Sequence, residues 1–124
     1  MNIPAELKYS NSHEWIRLLD DGTALLGITD FAQSQLGDLV FINLPVAGDS
    51  VSAGDTFCDV ESVKAVSDVI CPVNGTVAEV NEALLDAPQL LNETPYEAWI
   101  AKLTDVSGAE ALMDAAAYQA LIQQ

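Results

Sequence analysis

Basic side chains are scarce in this sequence. Four lysines and arginines stand against 19 aspartates and glutamates, which gives a formal net charge of −15 at pH 7. Such a chain repels the phosphates of nucleic acids and of anionic membrane surfaces, so we expect neither as a partner. The same charge favours the approach of cationic protein surfaces.

Cysteine and histidine are also rare. Cys58 and Cys71 are too few for a disulfide scaffold, so we expect free thiols that pack in the interior. With His13 as the single histidine, these distant positions give little basis for a zinc site. No metal is therefore expected.

Long hydrophobic runs are missing as well. No stretch of about 18 apolar residues occurs, so no transmembrane helix is predicted. Residues 1–10 lack the apolar core of a signal peptide and the arginines of a transit peptide, which predicts a cytoplasmic protein, or a mitochondrial matrix protein only if a presequence has been removed. Half of the 124 residues are apolar, which favours one folded domain over residues 1–124.

Closely spaced turn signals indicate a mainly β fold. Asp20–Gly22 separates two apolar runs and predicts a hairpin, and the pair Asn74-Gly75 predicts a second hairpin turn. Strands are predicted over residues 15–19, 23–28, 39–44, 76–80 and 99–103.

Two helical segments are predicted. Asp30 as a cap and Gly37 as a stop favour a short helix near residues 30–36. Ser107 to Glu110 has the pattern of a capping box, which predicts a C-terminal helical segment toward Gln124, with Asp114 capping a second stretch.

Lys64 is one of only three lysines and lies between two β-type runs that no glycine, proline or asparagine separates. If Ser62 to Ala65 forms the turn, the Lys64 amine lies at a hairpin tip, where an enzyme can modify it through an amide bond. A plain surface lysine remains the alternative. A two-residue tip pairs residue 58 with 69 and residue 56 with 71.

The segment Glu61–Asp68, ESVKAVSD, resembles the lipoylation site of the H protein of the glycine cleavage system. Further segments are similar to that family in the same order, and the resemblance extends from about Leu7 to Leu121. These segments are Ser12–Trp15, Gly27–Asp30, Ala32–Gln33, Leu36–Asp38, Pro72–Gly75, Val80–Leu84 and Leu91–Tyr96.

The resemblance implies a flattened β barrel-sandwich hybrid of the lipoyl and biotinyl type, with a lipoyl group in amide linkage to Lys64. It implies a carrier and not an enzyme, whose swinging arm moves the aminomethyl group of glycine. The implied partners are a pyridoxal-phosphate glycine decarboxylase, a tetrahydrofolate-dependent aminomethyltransferase, a dihydrolipoamide dehydrogenase, and the lipoate ligase or octanoyltransferase that modifies the lysine.

The resemblance also implies further site residues. Ser12, Glu14 and Asp68 match a cleft that shelters the loaded arm, and two carboxylates with a hydroxyl suit its ammonium group. Without the resemblance, these three are ordinary polar residues. The modifying enzyme is expected to recognise the residues around the lysine, namely Glu61, Val63 and Ala65.

One segment departs from the family pattern. Pro95–Trp99 lacks the glycines usual there, so the loop must turn without a residue of positive φ or adopt another conformation. Three alternatives stay open: a relay that donates lipoate to 2-oxoacid dehydrogenases, an H-like protein of another pathway, and an unmodified interaction module. A biotin carrier is disfavoured, because Val63 and Ala65 flank the lysine instead of two methionines.

Overall fold

The computed structural model describes residues 1–123. Gln124, toward which the C-terminal helical segment is predicted to run, lies outside the described residues. Within residues 1–123 the chain forms nine strands and four α-helices. The strands are β1 (Lys8–Tyr9), β2 (Glu14–Leu18), β3 (Ala24–Ile28), β4 (Leu39–Asn43), β5 (Ser50–Val51), β6 (Thr56–Ser62), β7 (Val66–Ile70), β8 (Asn74–Val80) and β9 (Ala101–Ser107). The helices are α1 (Asp30–Leu36), α2 (Ala83–Asp86), α3 (Leu90–Glu93) and α4 (Ala115–Ile122).

The strands form two antiparallel sheets, one of six strands in the order β1-β2-β3-β9-β8-β5 and one of three strands in the order β4-β6-β7. Side chains alternate along the strands except at register shifts, and the inward set of both sheets builds one hydrophobic core. Leu26 and Leu103 enter that core from the larger sheet, and Ile42 and Val60 enter it from the smaller one. The predicted mainly β sandwich architecture is confirmed.

Helix α1 confirms the prediction of a short helix over residues 30–36, but its cap is Thr29 and not Asp30. Thr29 has an extended backbone, and its hydroxyl accepts a hydrogen bond from Ala32 N at 3.1 Å. The helix ends at Gly37, whose φ of 80° is a conformation that glycine adopts without strain.

The predicted capping box at Ser107 is wrong. Strand β9 pairs with β8 as far as Asn74 and Ser107, which keeps Ser107 extended, and a 3₁₀ helix over Ala109–Ala111 follows. Helix α4 begins after Asp114, whose carboxylate accepts a hydrogen bond from Ala117 N at 2.8 Å. The second predicted cap is therefore confirmed.

Two predicted β features are shifted. Asn74-Gly75 does not form a hairpin turn but opens strand β8, where a Cβ on Gly75 would lie 3.0 Å from the carbonyl oxygen of Thr104. The last strand runs over Ala101–Ser107 instead of residues 99–103. In both cases, the pairing of β8 with β9 decides the conformation.

The glycine-free segment Pro95–Trp99 turns without any residue of positive φ. The amides of Glu97 and Ala98 both donate to the carbonyl oxygen of Thr94, at 3.0 and 2.8 Å, and Trp99 N donates to Glu97 O. Of the non-glycine residues between 1 and 123, only His13 and Asp105 have a positive φ. The first of the two expectations for this loop is confirmed.

A second buried cluster, here called the aromatic cluster, contains Leu7, Tyr9, Trp15, Tyr96 and Tyr118. The rings of Tyr9 and Tyr118 stack with centroids 4.7 Å apart, which attaches helix α4 to strand β1. Trp15 is fully buried, and its indole N–H donates to the carbonyl oxygen of Pro95.

Candidate functional site: the lysine-bearing hairpin

Strands β6 and β7 form a hairpin whose tip carries Lys64. Cys58 pairs with Val69 and Glu61 pairs with Val66, so the register leaves Val63 and Lys64 as a two-residue tip. The predicted pairing of residues 58 and 69 is confirmed. The predicted pairing of residue 56 with 71 is wrong, because a register shift between Thr56 and Cys58 pairs Thr56 with Ile70 instead.

The side chain of Ser62 closes this turn. Its hydroxyl oxygen accepts hydrogen bonds from Lys64 N at 3.2 Å and Ala65 N at 3.1 Å, and its backbone N–H donates to Ala65 O at 2.8 Å. Ser62 is almost fully buried, so its hydroxyl makes these hydrogen bonds from the inner side of the turn, away from solvent. Sequence reasoning missed this role, although a serine directly before a two-residue tip favours such side-chain to backbone bonds.

The connection between α1 and β4 supports the tip from below. Val63 N donates to the carbonyl oxygen of Asp38 at 3.1 Å, and a Cβ on Gly37 would lie 3.7 Å from Lys64 Cε. The aliphatic part of Lys64 therefore passes over Gly37, while Lys64, Val63 and Ala65 are all exposed. The hairpin presents an accessible amine on a backbone that is held in one conformation.

Ser12 and Glu14, two of the predicted cleft residues, are in direct contact. Glu14 is buried, and its Oε1 accepts hydrogen bonds from the hydroxyls of Ser10 and Ser12, both at 2.6 Å. Its Oε2 accepts a bond from Ile70 N at 3.3 Å, which joins β2 to β7. Burial raises the pKa of Glu14, and the hydrogen bonds from Ser10, Ser12 and Ile70 oppose that rise.

Asp68, the third predicted cleft residue, lies exposed on β7 opposite Asp59. It is two residues from Ile70, so the two side chains project from the same side of the strand. Within residues 1–123, no hydrogen bond joins the Asp68 carboxylate to Ser12 or Glu14. The structure thus brings two of the three residues together and places the third nearby on the adjoining strand.

A surface cavity of about 350 Å³ opens beside the Ser12–Glu14 pair. Its wall combines polar groups, among them Ser10, Asn11 and Ser12, with apolar side chains such as Ile70, Pro72 and Met113. Glu14 lies behind the serine hydroxyls and does not line the cavity. The cavity can therefore contact both apolar and polar parts of a bound molecule.

Other kinds of site find little support in residues 1–123. No group of three histidine, cysteine, aspartate or glutamate side chains in this range is arranged to hold a metal ion. His13 Nδ1 lies 2.8 Å from the hydroxyl of Tyr118, and both cysteines are buried free thiols. No helix in the same range is long and apolar enough to cross a membrane.

Comparison with known proteins assigns the chain to a family. The family model described as glycine cleavage H-protein matches residues 7–124. The glycine cleavage system H protein of Lachnoclostridium phytofermentans is 52% identical over 124 residues, covering 100% of this chain and 98% of that protein. The probable glycine cleavage system H protein of Thermococcus kodakarensis is 58% identical over 115 residues, covering 90% of this chain and 86% of that protein.

The same family is found among solved structures. The crystal structure of a glycine cleavage system H protein from Mycobacterium marinum superposes with a TM-score of 0.90 at 39% identity, covering 98% of this chain and 100% of that one. The chain therefore belongs to the glycine cleavage H-protein family, the lipoate carriers of glycine cleavage.

Proposed function

We propose that this chain carries its lipoyl group on Nζ of Lys64 and presents it as a swinging arm to the enzymes of glycine cleavage. The observation that carries the proposal is the exposed lysine at the tip that Ser62 closes. The other lysines have different settings: Lys8 lies in the two-residue strand β1, and Lys102 lies in β9 with its Nζ 3.8 Å from Glu79 Oε2. Neither stands at a turn.

The surroundings of Lys64 fit an amide-linked group. Val63 and Ala65 leave the amine open from both sides, and the partly exposed Glu61 offers a carboxylate to a modifying enzyme. We assign these three residues to recognition by a lipoate ligase or octanoyltransferase. When attached, lipoate supplies a disulfide that takes up and releases an aminomethyl group, and the protein supplies its position.

The proposed partners are those of the pathway. Glycine decarboxylase with pyridoxal phosphate loads the arm, a tetrahydrofolate-dependent aminomethyltransferase unloads it, and dihydrolipoamide dehydrogenase reoxidises it. A fixed tip raises the effective concentration of the arm at whichever enzyme has bound the carrier. We propose that residues 1–124 act as a single carrier domain, and the bacterial relatives support action in the cytoplasm.

We further propose that the cavity beside Ser12 receives the loaded arm between encounters. Ser12 lines the cavity, and Glu14 fixes the Ser12 hydroxyl by the 2.6 Å hydrogen bond. Asp68, exposed on β7 two residues from Ile70, adds a further negative charge near these groups. Charge-assisted hydrogen bonds from an ammonium to such groups are among the stronger ones in proteins.

Mass spectrometry tests the assignment directly. The chain is incubated with lipoate, ATP and a lipoate ligase, and its intact mass and the peptide spanning Glu61–Asp68 are measured. We expect one lipoyl increment, located on Lys64, and none on Lys64→Arg, while Lys102→Arg is modified like the original chain. An unmodified original chain, or persistent lipoylation of Lys64→Arg, would overturn the proposal.

A further inference from the structure

Exposed apolar side chains gather around the tip of the hairpin. Val63 and Val66 next to Lys64 are 71% and 66% exposed, and Val40 and Phe41 on the neighbouring strand β4 are 54% and 47% exposed. Val40 and Phe41 both face solvent because the register shift between Leu39 and Phe41 interrupts the alternation of the strand. Adjacent exposed hydrophobic residues are typical of protein interaction sites.

Strand register places acidic residues among these hydrophobic ones. Phe41 pairs with Glu61, and Glu61 pairs with Val66, so the three form one row on the outer side of the three-stranded sheet. Neighbouring strands lie about 4.8 Å apart, so adjacent members of the row are in contact range.

The next row on the same side is entirely polar. Asn43 pairs with Asp59, and Asp59 pairs with Asp68. Like charges that face each other directly across two strands destabilise a sheet. Within residues 1–123 the one ion pair joins Lys102 to Glu79, so Asp59 and Asp68 have no basic partner there.

The basic residues lie on the other sheet. Lys8, Arg17 and Lys102 belong to β1, β2 and β9, and Lys64 loses its positive charge once its amine becomes an amide. The lipoylated hairpin then presents hydrophobic side chains and carboxylates with no cation of its own. A basic partner surface would remove the repulsion between Asp59 and Asp68, which is the complementarity that steers protein association.

We propose that the outer side of β4, β6 and β7 is the surface through which the carrier binds the enzyme that loads its arm. The matching surface of that enzyme has an apolar centre, which covers Phe41, Val63 and Val66, and a border of lysine and arginine side chains, which meets Glu61, Asp59 and Asp68. This inference rests on the proposed function. It adds a docking surface beyond the arm and the cavity beside Ser12, and of the residues proposed to shelter the arm it includes only Asp68.

The first test compares Phe41→Ser with Leu18→Ser in the lipoylated carrier. Leu18 is similarly exposed, at 52%, but lies on β2 of the other sheet, so it is a matched control. The rate of glycine decarboxylase is measured against carrier concentration. We expect Phe41→Ser to raise KM about tenfold with little change in kcat, as for a buried apolar residue at an interface centre, and Leu18→Ser to leave both unchanged.

The second test addresses the charged border. The association rate of the Asp59→Asn/Asp68→Asn variant with the decarboxylase is measured by stopped flow across a salt series. We expect association of the original carrier to slow as salt rises and the variant to show a weaker salt dependence, because these charges steer the encounter. An unchanged salt dependence would overturn the proposal that Asp59 and Asp68 belong to the docking surface.

The proposed function and the docking surface can fail separately. Intact mass of the same samples reports whether Lys64 carries its group, whatever the binding result. Titration of the decarboxylase with the unmodified chain repeats the comparison of Phe41→Ser with Leu18→Ser without the arm. Equal affinities for those two variants in the titration and equal KM values in the assay would overturn the docking surface even in a fully lipoylated carrier.

Discussion

The aromatic cluster and the lysine-bearing hairpin differ in the exposure of their polar groups: those of the cluster are buried, and most of those of the hairpin face solvent. In the cluster the hydroxyl of Tyr118 is buried between Thr29 Oγ1 at 2.7 Å and His13 Nδ1 at 2.8 Å, and burial raises the pKa of Tyr118 to about 12. At the hairpin, carboxylates and valines face solvent, and the main internal polar contact is the Ser62 hydroxyl. The cluster encloses its polar groups in a packed interior, whereas the hairpin leaves its polar groups accessible to solvent.

Helix α1 connects these two regions. Its cap, Thr29, bonds to Tyr118 in the aromatic cluster, and the glycine after its last residue, Gly37, lies beneath Lys64. Seven residues span about 10 Å at 1.5 Å per residue, so the tip is anchored at a short distance from the cluster. Changes in the cluster should therefore alter stability, and changes at the tip should alter modification and binding.

Tyr118→Ala should have the largest effect on stability. It removes a fully buried ring that stacks on Tyr9, and truncation of a large buried aromatic residue costs about 3–5 kcal/mol. Tyr118→Phe keeps the ring and loses the hydroxyl, which should cost about 1–3 kcal/mol. Urea unfolding measures both. A loss for the alanine variant no larger than that for phenylalanine would show that the ring contributes little.

Gly27→Ala should cause the next largest loss of stability. A Cβ at this position would lie 2.9 Å from the indole ring of Trp15, and such overpacking costs about 1–3 kcal/mol. Because the clash is with one side chain, the same substitution in a Trp15→Phe background should cost less. A double-mutant cycle of unfolding free energies measures the coupling. Additive losses would place the strain elsewhere.

Ser62→Ala should change modification more than stability. Lys64 N and Ala65 N lose their shared acceptor, but both residues are exposed and can bond to water, so the loss of stability should stay below about 1.5 kcal/mol. The less ordered tip should slow lipoylation about tenfold, equivalent to about 1.4 kcal/mol in the barrier.

Two further serine variants serve as controls. They test whether the effect of Ser62→Ala comes from its lost hydroxyl contact or would follow the loss of any serine in the hairpin. Ser62→Thr keeps the acceptor and should restore the lipoylation rate. Ser67→Ala removes a partly exposed serine on β7 that does not bond to the tip, and it should behave like the original chain. Initial rates of lipoylation measure all three. Equal rates for Ser62→Ala and Ser67→Ala would contradict the assigned role.

Glu14→Gln should have the smallest effect on stability, and that effect should depend on pH. Burial raises the pKa of Glu14 above its unfolded value, so ionisation favours the unfolded chain. The contribution of Glu14 to stability is therefore fully present below the unfolded pKa, about 4.3, and declines as pH rises through the folded pKa. Unfolding midpoints of both chains from pH 4 to 8 should show the original losing stability relative to glutamine. A constant difference would contradict this.

Features decided by local pattern or by the family resemblance were predictable. The helix over residues 30–36 follows from nearby start and stop residues, and the pairing of Cys58 with Val69 follows from a two-residue tip. The predictions failed where a distant strand decides the conformation. Asn74-Gly75 and Ser107 have strong turn and cap signals, but the pairing of β8 with β9 keeps them extended.

The same contrast between local sequence and distant contacts applies to the candidate site. The position of Lys64 at a hairpin tip was predictable, because its sequence neighbours define the hairpin. The environment of Glu14 was not predictable, because the backbone N–H that bonds its Oε2 belongs to Ile70 in the other sheet. The turn contact of Ser62 is local and left only a weak signal, because a serine directly before a turn also occurs in many unstructured loops.

The burial of Cys58 and Cys71 has a consequence for the redox chemistry of the arm. Thiol–disulfide exchange needs an accessible thiolate, and lipoate on Lys64 would attach a disulfide to a carrier that has two cysteines of its own. Burial raises the pKa of both thiols, and Cys71 Sγ donates a hydrogen bond to the carbonyl oxygen of Val73. Both thiols therefore stay protonated at neutral pH, although Cys71 contributes to the wall of the cavity proposed for the arm, and this protonation disfavours a mixed disulfide between the carrier and lipoate on its own Lys64.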